Sequence, residues 1–206
     1  MKKIKYIAVA IALLCSTGVF AQWNPATLKI DYSVGIPTGS FKDVIGNTSF
    51  KGFGAELMFH VNDNLSLGLE TGSQYYYQKY PRDIYKQSDG SAISAVVSNT
   101  VQTVPIMFKA QYNFMTDKIV QPYVALAAGG NIISYNQYAG QYSNDQKNKF
   151  GFAARPEAGV FVPFRKNGSA GISLGAGYSF MPFNYNGISN LNSITARAGI
   201  SIPLGD

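Results

Sequence analysis

From residue 28 to residue 202 the chain alternates, one residue at a time, between apolar side chains and small or polar ones. A period of two sends successive side chains to opposite sides of an extended backbone, so the pattern predicts strands with two unlike faces. Eight segments carry it. The first sets Leu28, Ile30, Tyr32, Val34 and Ile36 against Lys29, Asp31, Ser33 and Gly35. The second sets Phe53, Ala55, Leu57, Phe59 and Val61 against Gly52, Gly54, Glu56, Met58 and His60. In the third, Leu65, Leu67, Leu69, Tyr75 and Tyr77 oppose Ser66, Gly68, Glu70, Gly72 and Gln74. In the fourth, Val104, Ile106, Phe108, Ala110 and Tyr112 oppose Thr103, Met107, Lys109 and Gln111. The fifth, residues 120–134, is the least regular, with Val124, Leu126 and Ala128 against Tyr123, Ala125 and Ala127. The sixth sets Phe150, Phe152, Ala154, Ala158, Val160 and Val162 against Gly151, Arg155, Glu157 and Phe161. The seventh sets Ala170, Ile172, Leu174, Ala176 and Tyr178 against Ser169, Gly171, Ser173, Gly175 and Gly177. The eighth sets Ile194, Ala196, Ala198, Ile200 and Ile202 against Thr195, Arg197, Gly199 and Ser201.

The joins alternate in length. Asn62-Asp63-Asn64, Met115-Thr116-Asp117-Lys118 and Arg165-Lys166-Asn167-Gly168 are tight, whereas residues 37–49, 81–99, 136–149 and 181–190 form long connections. Short and long joins in strict alternation describe an up-and-down meander with its long loops at one end. Eight antiparallel strands in that order can close into a barrel without a free edge. The even count puts both termini at the short-turn end. The expected fold is therefore all-β, an eight-stranded antiparallel up-and-down barrel over residues 22–206, with no linker that would mark a second domain.

Alternation alone does not say which face points outward; charge does. The polar faces of all eight strands together hold Lys29, Asp31, Glu56, Glu70, Lys109, Arg155, Glu157 and Arg197, four basic and four acidic. A water-facing exterior carries about 25–35% charged residues, far more than this. Balanced charge among Gly, Ser, Ala and Thr instead suits a crowded interior, where an unpaired ion is costly. Glycines and serines of the seventh strand are expected to make room for Tyr123, Arg155 and Phe161, and serine at Gly175 is expected to be milder than arginine on the apolar face. The apolar faces carry no charge in their central stretches, as a lipid-facing surface requires. Tyr75, Tyr77, Tyr80, Tyr178 and Phe180 near one end, and Phe59, Tyr112, Phe114 and Phe164 near the other, read as aromatic girdles at two membrane interfaces.

The N-terminus adds a location. Lys2, Lys3 and Lys5 precede an apolar run from Tyr6 to Leu14, and Val19-Phe20-Ala21 offers a small residue before a cut. Residues 1–21 are thus expected to be a secretory signal peptide, too short in its apolar part to span a membrane. The one cysteine, Cys15, lies within it, so the mature chain has no disulfide. Cleavage removes three lysines and lowers the net charge from +6 to +3. No basic cluster interleaved with aromatics remains to suggest nucleic acid. A secretory signal and a barrel that is apolar outside point to the bacterial outer membrane. Both termini would then be periplasmic and the long loops extracellular. A secreted barrel of lipocalin type, apolar inside, is the alternative that the charge placement disfavours.

Short stretches carry a resemblance. Pro37-Thr38-Gly39-Ser40-Phe41-Lys42-Asp43 follows the first strand, and Lys51-Gly52-Phe53-Gly54-Ala55-Glu56 begins the second. Val61-Asn62-Asp63-Asn64-Leu65-Ser66-Leu67-Gly68 spans the first tight turn, and Gln121-Pro122-Tyr123 opens the fifth strand. With these the chain resembles the small outer-membrane β-barrel family, the OmpA-, OmpX- and OmpW-like eight-stranded barrels, in its Bacteroidota-type branch. The resemblance implies outer-membrane lipids and lipopolysaccharide as surroundings and the outer-membrane insertion machinery as a partner during biogenesis. It names no ligand or surface partner. The chain ends Pro203-Leu204-Gly205-Asp206, without the terminal aromatic that such barrels present to that machinery.

Candidate chemistry is sparse. His60 is the only histidine, two residues before a tight turn, and no motif places a serine nucleophile beside it. An interior hydrogen-bonded histidine is the expectation, not a general base. Glu56 and Glu70 point inward on neighbouring strands; such a pair can do acid–base work or hold Ca²⁺. Salt bridges to Lys109, Arg155 or Arg197 are the favoured reading. No catalytic, cofactor or metal site is expected. An eight-stranded barrel has an interior just wide enough for side chains to fill. The expected function is therefore a non-enzymatic barrel with a plugged polar interior and a structural or surface-interaction role. A narrow pore or small apolar-solute conduit is the first alternative, and an outer-membrane lipid-modifying enzyme the second.

Overall fold

The structure, a computed structural model, describes residues 26–86, 92–140, 142–166, 168–185 and 187–204. The expected signal peptide, residues 1–21, lies outside them. Eight strands close into a barrel: β1 Ala26–Pro37, β2 Ser49–His60, β3 Leu65–Lys86, β4 Ala92–Asn113, β5 Gln121–Ala139, β6 Tyr142–Pro163, β7 Gly171–Ser179 and β10 Ser193–Leu204. A short helix, α1 Ser40–Val44, lies between β1 and β2, and a small hairpin, β8 Pro182–Tyr185 and β9 Ile188–Asn190, between β7 and β10. Each barrel strand pairs antiparallel with its sequence neighbours, and the ring closes where β1 meets β10, Ala26 opposite Leu204 through Pro37 opposite Ser193. Both chain ends of the barrel thus lie at the short-turn end.

The short turns are held by local hydrogen bonds. Asn62 Oδ1 accepts from the backbone N–H groups of Asn64 and Leu65, at 2.9 and 2.8 Å. Such an Asx turn replaces the ladder bonds the chain gives up on reversing. Side-chain direction then follows the sequence period. On the outside Ile30, Leu126, Leu174 and Ile200 are each more than half exposed, and Phe108 is 71% exposed. A continuous apolar exterior of this kind is unstable in water and suits hydrocarbon. The inward positions of the same strands are buried.

Two of the long joins differ from expectation. Residues 81–99 and 136–149 are mostly strand, because β3 and β4, and likewise β5 and β6, continue their ladders far beyond the apolar belt. Register slips at Lys79/Arg82 and at Gln137/Tyr138 mark bulges in these arms. Above the lipid both faces of a strand become polar or mixed, so the alternation fades while the backbone bonds persist. Gly140, at φ 65°, makes the β5–β6 tip, a left-handed position that glycine enters at no steric cost.

The other two long joins fold back over the barrel mouth. Gly39, at φ 58° and ψ −144°, adopts a backbone conformation open to glycine and starts α1. From α1 and the following turn, Phe41 and Ile45 are completely buried. Met181, Phe183, Ile188 and Leu191 of the β8–β9 region join them against inward Tyr76, Val101, Ile133 and Tyr135. Phe41 meets Tyr76 edge-on at 4.8 Å between ring centroids, and Tyr185 meets Tyr135 at 5.6 Å. Ser189 Oγ donates to Ser40 Oγ at 2.8 Å, and Thr38 N donates to Asn192 O at 2.9 Å, so the two loops are tied to each other. The Tyr185 hydroxyl donates to Asp145 at 2.5 Å, and this bond raises its pKa above the ordinary phenol value. The interior is therefore polar at mid-barrel, as expected, and apolar at the long-loop end. Tyr80 also departs from its expected girdle position: it is half-buried, and its hydroxyl donates to Val44 O at 2.5 Å, at the end of α1.

Replacing Leu126, Leu174 or Ile200 by Arg should cost about 2–4 kcal/mol where the site lies at the bilayer midplane. Equilibrium refolding into lipid vesicles measures this. Unchanged stability of Leu174→Arg would show that this face does not meet lipid.

Candidate functional site

The inward registers bring all eight strand charges to the middle of the barrel, and none is more than 9% exposed. Lys29 lies opposite Glu56, and Glu56 opposite Glu70, across β1, β2 and β3. Lys109 on β4 reaches across the lumen to Glu56 at 2.8 Å, Glu157 at 3.3 Å and Glu70 at 3.6 Å. Arg155 on β6 donates to Glu70, and its Nε lies 3.5 Å from Glu157. Arg197 on β10 grips Asp31 on β1 with two bonds, Nε to Oδ1 at 2.8 Å and Nη2 to Oδ2 at 2.5 Å. Its remaining Nη1 faces Glu56 at 2.8 Å, Glu157 at 3.1 Å and Glu70 at 3.4 Å. Two carboxylates side by side on β2 and β3 repel one another; the three cations among them convert that repulsion into a mutually bonded cluster. Such a cluster tolerates burial only because nearly every member has partners.

Space for these long side chains comes from residues without them. A Cβ at Gly54 would stand 2.8 Å from both Arg197 Nη2 and Asp31 Oδ2. One at Gly177 would stand 3.1 Å from Arg155 Cγ, and one at Gly171 would stand 2.7 Å from the Phe161 ring. At Gly175 it would collide with the Tyr123 hydroxyl, which donates to Glu157 at 2.8 Å. A side chain at Gly175 therefore has to displace the bonded Tyr123 hydroxyl.

Below the cluster, at the short-turn end, the lumen opens into a cavity of about 480 Å³. Lys29 and Gln111 form its inner end, with Lys29 Nζ donating to Gln111 Oε1 at 2.7 Å. His60 lines one side, held between two hydroxyls: Thr27 Oγ1 at 2.8 Å from Nε2 and Ser66 Oγ at 2.9 Å from Nδ1. No carboxylate lies within hydrogen-bond distance of either ring nitrogen among the described residues, so the third member of a charge-stabilised triad is not in place. Sequence reasoning missed the buried apolar cluster at the long-loop end and the bonded roles of Tyr123 and Gln111. Apolar Phe41, Ile45, Phe183 and Ile188 inside joins expected to meet water were the available signal.

Arg197→Ala leaves Asp31 without its bidentate partner and should cost about 3–5 kcal/mol, less where water reaches the cluster. Adding Asp31→Ala should recover only part of this, since Arg197 also serves three glutamates. A double-mutant cycle on the refolded protein tests the pair, and zero coupling would reject it.

Comparison with known proteins agrees with this architecture. Residues 7–203 match the outer membrane protein beta-barrel domain family. Comparison with curated proteins gives no match. Among solved structures, Neisserial surface protein A is similar with a TM-score of 0.53 and 15% identity, over 87% of this chain and 96% of that one. OprG of Pseudomonas aeruginosa gives a TM-score of 0.47 at 12% identity, covering 89% of this chain and 97% of its own. The N-terminal barrel domain of OprF from the same organism gives 0.46 at 12%, covering 87% and 99%. At 15% identity the likeness to Neisserial surface protein A is one of fold. The family match over nearly the whole chain, on a closed eight-stranded ring with an apolar exterior, places the protein: it belongs to the outer membrane protein beta-barrel domain family, the small barrels of the bacterial outer membrane.

Proposed function

We propose that this chain is a non-enzymatic outer-membrane barrel with a closed lumen, in a structural or surface-interaction role. In this reading the termini and short turns face the periplasm. The long-loop end stands among lipopolysaccharide outside the cell, and the insertion machinery handles the chain during biogenesis. One observation carries the proposal: two independent layers lie across the lumen. The charged cluster fills the middle, and α1 with the β8–β9 hairpin packs an apolar plug above it. An ion entering from the short-turn end meets bonded charges; one entering from the long-loop end meets Phe41, Ile45 and Phe183.

A narrow conduit for small apolar solutes is the second reading. It is favoured by the apolar lining of the long-loop half, where Tyr76, Val101 and Ile133 face inward. The charged layer below it argues against passage, because an apolar solute would have to separate mutually bonded charges and offers them no compensating contact.

Planar-bilayer recordings of the refolded protein should show no large steady conductance, and a lipid-hydrolysis assay no turnover above that of lipid alone. A large steady conductance would overturn the closed lumen in favour of the conduit. Turnover abolished by His60→Ala would establish an enzyme instead. For orientation, a tag inserted at Gly140 should be stained on intact cells and one at Asp63 should not; the reverse would invert the barrel.

A further inference from the structure

The cavity at the short-turn end has one buried cation and a rim of carboxylates. Lys29 is 8% exposed. An ammonium carries three donors. Among the described residues Lys29 uses one, on Gln111, while its nearest carboxylate oxygen, Glu56 Oε2, is 3.9 Å away. The Tyr123 ring lies 5.5 Å off and offers only its face. Lys109, deeper in the barrel, has three carboxylates within 3.6 Å. At the outer end Asp63 and Asp117 line the cavity on exposed turns. Asp117 pairs with Lys118 at 3.3 Å; Asp63 has no cation within 4.0 Å among the described residues.

The charge balance selects the ligand. The eight interior charges already cancel, so a bare anion on Lys29 would leave the buried cluster net negative, a costly state at low dielectric. A ligand with a carboxylate at one end and an ammonium at the other adds no net charge to the cavity as a whole. It would satisfy the spare donors of Lys29 at the inner end and the free Asp63 at the outer end. Length narrows the class further. Lys29 is level with Glu56, and the rim begins past His60, four residues along β2. At about 3.3 Å per residue this is roughly 13 Å, or about 10 Å along the axis of a tilted barrel. An extended peptide covers about 3.3–3.6 Å per residue, so about three residues fill the span. The volume, about 480 Å³, falls within the usual size of small-molecule sites.

We propose that this cavity binds short zwitterionic peptides of about three residues, C-terminal carboxylate on Lys29 and N-terminal ammonium at Asp63. Thr27, Ser66 and the His60 they hold supply polar contacts along the side, and Met58 and Phe161 an apolar wall. The proposal depends neither on which way the barrel faces nor on whether the lumen is closed.

Isothermal titration of the refolded protein in nanodiscs with trialanine tests it. Saturable binding at millimolar peptide is expected, weakened about tenfold or more when the carboxylate is amidated. Acetylating the amine should weaken it about twofold to fivefold, as loss of an exposed ion pair would. Lys29→Met should mimic amidation. Because that variant disturbs the interior, Asp63→Asn on the exposed turn is the second arm. It should weaken trialanine by the same twofold to fivefold and leave the acetylated peptide unaffected. Absence of saturable binding, equal binding of the doubly blocked peptide, or an equal effect of Asp63→Asn on both peptides would overturn the proposal.

Discussion

A strand in hydrocarbon has no water to satisfy its backbone, so every N–H and C=O in the belt must find another strand. The ladder between β1 and β10 is where that requirement is met last, and the rest of the structure depends on it. It joins the two ends of the barrel sequence along all of β1. Once it forms, no edge is left, the apolar faces are committed to lipid, and the polar faces are committed to one another across a narrow lumen.

That commitment explains the charge cluster. Four cations and four anions scattered over six strands would each be costly to bury alone. Closure gathers them at one level, and the cost is offset only because the set is balanced and mutually bonded. Arg197 illustrates the economy of the arrangement. It closes the seam by holding Asp31 from the neighbouring strand, and the same guanidinium reaches three glutamates across the lumen. Glycines on β2 and β7 are small for the same reason, since they stand where the large inward side chains must go.

The two ends of the lumen then diverge. Toward the long loops the inward faces turn apolar and are covered by α1 and the β8–β9 hairpin, which bring their own apolar side chains. Toward the short turns the lining stays polar and the turns are too short to fold inward, so a cavity remains. Loop length thus decides which mouth carries a buried apolar cluster and which keeps a polar cavity.

The sequence by itself determined the number of barrel strands, their connectivity, the face of every regular strand and the identity of the eight buried charges. Each of these follows from a period of two read against a single lipid-facing side. Lys29, Asp31 and Arg197 could be placed inside from parity alone. What parity cannot give is partnership across the lumen, because residues as distant as Glu70 and Arg155 meet only through the curvature of the closed ring. The arms of β3–β6 were hidden for a related reason: beyond the lipid the two faces no longer differ, and the signal disappears while the ladder continues. Phe41, Ile45, Phe183 and Leu191 have no period at all. Only the tertiary structure could show that they cap the barrel, because what buries them is the shape of its mouth.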